Sequence, residues 1–419
     1  GAVTVVGDRV FYGWAMLAVA GLGMFASGPG QSHNFSVFVG PVSADLGISS
    51  ATIASAYGLA TLVAALCLPY VGGLVDRFGP RRVSLVVVTG LGLACAVFGA
   101  AANVLWLVVG FGLLRFLGQG ALMLNCANLV SQWFERKRGF ALGLMALGFA
   151  ASMAVHPPLG EFLIAEFGWR RAWIVLGLIT WLLMLPPLLL LVVDRPEQVD
   201  LRPDGDAAPE TESGEPAAIA GLTLAEALRT STFYILAAGF FAVSMMVTAL
   251  HFYQVTLLES RGVAREIAAF AFPVSAVVMV VMMPVVGRFF DRFKTRFVFA
   301  AALVVMAASL LAISVAVDPV TTALYAVLFG LTNAFSLTMF GYLWPRYFGR
   351  LHLGSVQGTG QMLTIIGASL GPLPVGLAFD LVGDATDVVR ALAVLPLACA
   401  VLALFLRTPA GVPVADRLE

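Results

Sequence analysis

Residues 72–82 read GGLVDRFGPRR, and residues 287–296 read GRFFDRFKTR. Asp76 and Asp291 stand 215 residues apart, and Arg81 and Arg296 keep the same offset from them. A second pair of segments, WFER at 133–136 and YFGR at 347–350, repeats with nearly the same shift. The sequence therefore predicts a chain built from two related halves.

The composition around these loops is that of a membrane protein. Of the 419 residues, 60 % are hydrophobic and 11 % are charged, whereas a soluble domain carries about 25 % charged residues. One soluble core could not bury so much apolar surface, and a net charge of +0 gives polyanion binding no support. An ordinary soluble enzyme, a nucleic-acid-binding protein and a disordered chain are therefore excluded. The cysteines show no spacing typical of disulfides or metal sites.

Twelve apolar stretches of about 20 residues, the length that crosses a bilayer, follow one another along the chain. They are predicted at 11–39, 51–74, 83–102, 106–131, 140–163, 172–193, 230–257, 266–289, 297–316, 320–343, 355–379 and 387–407. The fold class is thus an all-α membrane protein with twelve transmembrane helices in two pseudo-symmetric six-helix bundles, 1–193 and 223–419. Residues 194–222, which are polar and rich in Pro and Gly, are predicted to be a flexible tether in the cytoplasm.

Lys and Arg predict the orientation, because cytoplasmic loops are enriched in them. With both termini and the tether in the cytoplasm, most of the 24 basic residues fall on that side. The exceptions are Arg170, Arg171, Arg261, Arg265 and Arg390 outside, and Arg115 within the fourth stretch. Arg far outnumbers Lys, which is typical of GC-rich bacteria, so we expect a bacterial inner-membrane protein.

The loop at 72–82 resembles the signature loop of the major facilitator superfamily, G-x-x-x-D-R-x-G-x-R-R. The Asp of such a loop can cap a helix N-terminus or pair with Arg, locking two helices in one conformational state. The first Gly lets those helices approach closely. The predicted cytoplasmic gate comprises Gly72, Asp76, Arg77, Gly79 and Arg81 with Asp291, Arg292 and Arg296, although Lys294 replaces glycine in the second copy.

Two further segments are similar to the monocarboxylate transporter and oxalate/formate antiporter group: WFERKRG at 133–139 and YFGR at 347–350 followed by Gly354. The resemblance covers essentially the whole chain. It implies a monomeric secondary transporter of a small organic anion, coupled to protons, in which the two halves alternate access. Partners are then the substrate, protons and the lipid bilayer. We expect no cofactor, no nucleic acid and no enzymatic activity, because no Walker-type loop, nucleophile–base pair or carboxylate pair occurs in the stretches.

Polar residues recur at helical spacing on the stretches that, as the resemblance implies, line a central cavity: the first, fourth, seventh and tenth. Such residues are costly in lipid and usually face a cavity or a partner helix. The first stretch carries Ser27, Gln31 and Asn34 on one predicted face. The alternative for each stripe is hydrogen bonding between helices. The predicted substrate-binding residues are Asn34, Arg115, Gln119, Asn125, His251, Asn333, Ser336 and Gln361.

Arg115 is the ionisable residue expected near the bilayer centre. Its guanidinium can hold a substrate carboxylate through two parallel hydrogen bonds. Arginines at this place in the fourth helix of superfamily members also relay protons or brace the helix, so both alternatives stay open.

His33 and His251 are the predicted proton-coupling residues. HNFSV at 33–37 aligns with HFYQV at 251–255, which makes the two histidines counterparts in the two halves. Histidine changes charge near physiological pH and can couple proton movement to transport. The alternative is a neutral histidine bonded to a neighbouring helix.

The eighth stretch departs from the monocarboxylate group, which usually carries an Asp and an Arg there. Met279 and Met283 stand at those places, and no charge precedes Arg288. Uptake of a soft metal such as Cu(I) is one alternative, because Met245, Met246 and Met282 add further thioethers, although Met is also a common packing residue. Drug/proton antiport is the other, but the G-x-x-x-G-P-x-x-G-G pattern typical of it is absent from the fifth stretch.

Overall fold

The computed structural model describes residues 11–35, 38–48, 50–205 and 219–412. Within these ranges the chain is helical with short connections and contains no β-sheet. Residues 206–218 of the predicted tether and the side chain of His33 lie outside the described part. The chain forms two compact units, Gly1–Ala220 with Arg350–Met362, and Gly221–Gly349 with Leu363–Glu419.

The first unit contains the described helices of the N-terminal half. They are Gly13–Ala26, Ser32–Phe35, Val39–Leu46, Ser50–Leu66, Leu68–Phe78, Pro80–Gly99, Val104–Leu114, Met123–Trp133 and Arg138–Leu190, with a π-helical turn at Arg115–Leu122. Local sequence explains several boundaries. The Asn103 side chain accepts the N–H of Trp106 at 2.9 Å and caps the helix that follows. Gly168, at φ 77°, interrupts the long helix that ends at Leu190.

The second unit repeats this pattern. Its helices are Leu224–Ala227, Ser231–Ser260, Arg265–Arg292, Thr295–Val315, Pro319–Phe348, Pro372–Val382, Thr386–Leu392 and Val394–Ala403, and Leu353–Leu370 crosses the boundary between the units. Asp318 and Thr321 form a capping box, in which each side chain accepts a backbone N–H, before Pro starts the helix that ends at Phe348.

Ten helical segments of the described residues are long and apolar enough to cross a membrane, if Arg138–His156 and Phe162–Leu190 are counted separately. The number is eleven if the pair Ser55–Leu66 and Leu68–Phe78, bent by 41°, counts as one span. The first predicted stretch contributes only the shorter apolar helix Gly13–Ala26. A 3₁₀ turn at Gly28–Gly30 ends it, and Gln31 is extended, because Gly-Pro-Gly does not continue an α-helix. The stretch predicted at 11–39 is therefore not one continuous α-helix, because it is interrupted at Gly28–Gln31.

Each unit has its own hydrophobic core. In the first unit Phe35, Phe38 and Phe98 surround Trp173, with ring centroids 4.6 to 5.6 Å from it. In the second unit the buried core includes Met246, Leu310 and other apolar residues of several helices. Such packing holds helices in register where lipid supplies no hydrophobic drive for association.

Candidate functional site

The break at Gly28–Gly30 in the first stretch changes the positions of its polar side chains relative to one another. Gln31 still reaches Ser27, donating to its Oγ at 3.0 Å, and also contacts Met123 Sδ at 2.9 Å. Asn34 is buried, and neither atom of its amide finds a partner among the described residues. The predicted single face of Ser27, Gln31 and Asn34 does not arise from continuous helix, because the backbone turns at Gly28–Gly30.

Arg115 begins the π-helical turn Arg115–Leu122, a widening that helices often show at functional sites. Its side chain is buried, with 6 % of the residue exposed. Nη1 donates to the carbonyl of Gly30 at 2.9 Å, and Nε donates to Thr61 Oγ1 at 3.2 Å. The Tyr57 ring lies 4.9 Å from the guanidinium carbon. All the described contacts of this cation are therefore with neutral groups.

The same helix carries a series of buried amides beyond Arg115. Asn125 has no partner for either amide atom, and the Nδ2 of Asn128 and the Oε1 of Gln119 are also unsatisfied within the described ranges. A buried amide without a partner costs about 1–3 kcal/mol, so such groups are usually completed by water or ligand.

The predicted residues of the second unit lie on two helices. His251 is exposed and its ring centroid lies 5.1 Å from that of Phe329, edge to face. Asn333 donates to the Phe329 carbonyl of its own helix at 2.9 Å. Ser336 is half-buried one turn further on. Gln361, which clusters with the first unit, is half-buried as well.

The signature loop makes specific contacts inside the first unit. The Asp76 carboxylate accepts the N–H groups of Gly354 and Ser355 at 2.7 and 2.8 Å and the Ser355 hydroxyl at 2.5 Å. Gly72 packs directly against Gly354, where a Cβ would collide with backbone. Of the two roles considered for Asp76, it therefore takes that of a helix cap, at the start of Leu353–Leu370.

Arg81 and Gly79 join this loop to residues 188–194. Arg81 donates its backbone N–H to Asp194 Oδ1 at 2.7 Å, and its guanidinium donates to the carbonyls of Leu188 and Leu189 at 3.1 and 2.6 Å. Gly79 has a φ of 82° and lies against the Asp194 carboxylate. Burial raises the pKa of Asp194, against the lowering effects of the Arg81 N–H and of the nearby arginine charges.

The degenerate second copy of the loop is built differently. Lys294, in the place of Gly79, has an ordinary φ of −57°. Arg292 ends its helix in an exposed position, and the Arg296 guanidinium lies 5.0 Å from the Phe297 ring centroid. Asp291 is half-buried. The glycine of the first copy thus serves a left-handed backbone that the second copy does not adopt.

Residues 194–205 correct a sequence prediction, because this part of the tether is ordered. The Asp204 carboxylate accepts the N–H groups of Glu135, Arg136 and Lys137 at 3.0, 2.6 and 3.1 Å, just before the helix that starts at Arg138. The Asp-Gly pair at 204–205 and the two nearby prolines are turn signals that could have indicated this structure.

The tether also holds Arg350. This guanidinium pairs with Glu197 at 2.6 Å and donates to the Gln132 carbonyl. Gln132 in turn donates from Nε2 to the Arg350 carbonyl at 3.0 Å. Asp194, Glu197 and Asp204 were not singled out from the sequence, since acidic residues in a Pro-rich segment usually indicate a solvated linker.

Most of the methionines considered for a soft metal pack in the core, whereas Met282 is half-buried. Met246 is fully buried in the apolar core of the second unit, with Met245 packed against it, and Met279 and Met283 are buried as well. Among the described residues, no cluster of three or more His, Cys, Asp or Glu side chains could hold a metal ion.

Comparison with known proteins gives one family. The model of the Major Facilitator Superfamily matches residues 13–372 and 252–417. A 38 kDa protein from the 23S RNA operon of Thermoproteus tenax, which has not been characterised, is 26 % identical over 365 residues, covering 85 % of this chain and 87 % of that protein.

Two relatives with named activities match over shorter lengths. Mouse monocarboxylate transporter 11 is 36 % identical over 124 residues, 29 % of this chain and 27 % of that protein. The oxalate:formate antiporter of Oxalobacter formigenes is 28 % identical over 181 residues, 43 % of this chain and 42 % of that protein. The chain thus spans under half of either relative's length.

Solved transporter structures share the fold. The human organic anion transporter MFSD10 superposes with a TM-score of 0.68 at 15 % identity, over 93 % of this chain and 99 % of that one. The Escherichia coli fucose:proton symporter gives 0.69 at 15 % identity, over 93 % and 98 %. The predicted all-α, multi-pass membrane fold in two six-helix halves is confirmed.

Proposed function

Because the chain belongs to the Major Facilitator Superfamily of membrane transporters, we propose that it is a secondary active carrier of a small organic anion of the monocarboxylate type. Residues 1–193 and 223–419 would be the two halves that alternate access. Transport is coupled to protons, the working unit is a monomer, and the chain resides in a bacterial inner membrane with cytoplasmic termini.

The observation that carries the proposal is the environment of Arg115. A buried cation is expensive unless a negative charge or several hydrogen bonds compensate it. Here Gly30, Thr61 and the Tyr57 ring supply neutral contacts, and no carboxylate pairs with the guanidinium among the described residues. A substrate carboxylate would provide the missing charge, and the relatives named for monocarboxylates and for oxalate and formate point to the same class.

The unsatisfied amides support a second set of contacts to such a substrate. Among the described residues, Asn34 and Asn125 offer both donors and acceptors without partners, and Gln119 offers an acceptor. Asn333, Ser336 and Gln361 complete the proposed substrate-binding residues. The eighth stretch lacks the charged pair of the monocarboxylate group, and buried Met279 and Met283 stand at those positions. Neutral donors of this kind would then hold the substrate instead.

We assign the coupling proton to His33 and His251. The assignment rests on the correspondence of the two histidines in the two halves and on the ability of an imidazole to change charge near physiological pH. His251→Gln should abolish stimulation by a pH gradient while sparing exchange of substrate across the membrane. Unchanged gradient dependence in both His33→Gln and His251→Gln proteins would exclude the two histidines.

The deciding experiment is uptake into proteoliposomes with and without an inward proton gradient. The substrates are radiolabelled lactate, pyruvate, acetate, oxalate, formate and larger aromatic and branched acids. We expect saturable, gradient-stimulated uptake of at least one acid. Arg115→Gln should reduce it at least about tenfold, the cost of one charge-assisted contact, and Arg171→Gln, which removes an exposed arginine, should not.

The two roles of Arg115 differ in their effect on stability. If it binds substrate, Arg115→Gln should leave the thermal midpoint of the empty carrier nearly unchanged or raised, since an uncompensated buried charge is removed. A drop in the midpoint that accounts for the lost uptake would mean a brace between helices. No uptake of any acid by folded parent protein would reject the proposed substrate class.

A further inference from the structure

The first unit contains a cavity of about 650 Å³ that lies apart from Arg115. It is bounded by the end of Leu68–Phe78, the start of Pro80–Gly99, the middle of Met123–Trp133 and the segment 194–198. A volume of this size is within the range of small-molecule sites. Its lining is mainly polar, unlike the apolar helix surfaces around it.

Four arginines and two aspartates line the cavity. Asp76 is engaged by Gly354 and Ser355, and Asp194 accepts the N–H of Arg81. The Arg81 guanidinium is in turn bound to helix carbonyls. This leaves Arg77, Arg82 and Arg195. In the described part of the chain no carboxylate lies within ion-pair distance of these three, although Asp194 is close enough to interact with the charges of Arg82 and Arg195. The cavity therefore carries an excess of positive charge.

Two buried amides form a further part of the lining. Asn128 is 1 % exposed and its Nδ2 has no hydrogen-bond partner within the described ranges, while Gln132, 3 % exposed, has an unsatisfied Oε1. The Asn128 amide and the arginines of the lining are all hydrogen-bond donors. An occupant rich in acceptor oxygens would therefore suit this part of the cavity.

We propose that this cavity binds a phosphate group, either free or as the headgroup of an anionic phospholipid. A phosphate presents several acceptor oxygens and more than one negative charge, which fits Arg77, Arg82, Arg195 and the Asn128 amide better than a single carboxylate does. The site shares its lining with the signature loop, so its occupant lies beside Asp76 and can stabilise the conformation in which Asp76 caps the helix at Leu353.

The test is the thermal midpoint of the full chain. One set of samples is in detergent with inorganic phosphate added, against chloride at equal ionic strength. The other is in nanodiscs of phosphatidylcholine with or without phosphatidylglycerol. The variant is Arg82→Gln with Arg195→Gln, and the matched control, Arg171→Gln with Arg229→Gln, removes two exposed arginines elsewhere.

We expect the thermal midpoint of the parent and of the control to rise and then saturate as phosphate or phosphatidylglycerol is increased. In the variant, the apparent Kd should be about tenfold higher or more. A rise with inorganic phosphate supports a free anion, and a rise with phosphatidylglycerol alone supports a headgroup. A parent that responds to neither, or a variant that responds as the parent does, overturns the proposal. Because this readout involves no transport, it is independent of the identity of the transported acid.

Discussion

The carboxylate of Asp76 accepts both the backbone N–H and the hydroxyl of Ser355, at 2.8 and 2.5 Å, although 279 residues separate the two in sequence. With the N–H of Gly354, three donors converge on one side chain. A negative charge at this position also interacts favourably with the helix dipole. Asp76 of the signature loop thus caps a helix that is distant in sequence.

Asp76→Asn should weaken this cap. The amide keeps one acceptor oxygen but loses the second and the charge, so we expect a loss of about 1–2 kcal/mol in unfolding free energy. Thermal or denaturant unfolding of the purified protein measures it. Asp387→Asn is the control, because that carboxylate is 95 % exposed and its pair should contribute little. Equal effects of the two substitutions would contradict the role of Asp76 as a cap.

Asp204→Asn should destabilise the ordered part of the tether. Asparagine tolerates the left-handed backbone of Asp204, whose φ is 63°, so the change mainly removes one acceptor for the N–H groups of residues 135–137. We expect a cost of about 1–2 kcal/mol and faster hydrogen exchange at those three amides. Asp200→Asn is the matched control, because Asp200 also has a positive φ but is exposed. In that variant the amides of residues 135–137 should exchange as in the parent. Unchanged exchange in Asp204→Asn would refute the contact.

Gly79→Ala should be among the more damaging changes in the signature loop. Alanine at a φ of 82° is strained, and its Cβ would also collide with the Asp194 carboxylate. Gly168→Ala separates the two effects, because Gly168 has a similar φ of 77° and open space around the added atom. We expect about 1–3 kcal/mol of strain for Gly168→Ala and a clearly larger loss for Gly79→Ala, read from thermal midpoints. Similar losses would show that the approach of Asp194 matters little.

The raised pKa of Asp194 predicts a pH dependence of stability. The folded protein holds this proton more tightly than the unfolded chain, because burial disfavours the carboxylate. The contribution of Asp194 is therefore greatest below the ordinary carboxyl pKa of about 3.9 and is lost as the pH rises through the higher folded pKa. Asp194→Asn should remove this loss of stability with rising pH. From about pH 4 upward, the thermal midpoint of the variant should therefore rise relative to that of the parent. Parallel midpoint curves for the two proteins would contradict the prediction.

The sequence alone identified the family, the duplicated halves and the apolar stretches that become membrane-spanning helices. It could do so because a span must satisfy its backbone hydrogen bonds within its own residues, which makes length and hydrophobicity nearly sufficient. The loop at 72–82 was recognisable because its glycines and charges are close together. His33 and His251 stay predictions, as do the substrate contacts of Arg115 and its neighbours.

Which groups those residues contact depends on the tertiary fold. The partner of Asp76 lies 279 residues away, the tether is fastened by Asp204 and Glu197, and Gly-Pro-Gly breaks the first stretch before Gln31. The Arg115 guanidinium rests on Gly30 and Thr61, which no local pattern connects to it. Such contacts depend on how helices distant in sequence pack, and packing is set by the shapes of many side chains together rather than by the polarity of any one segment.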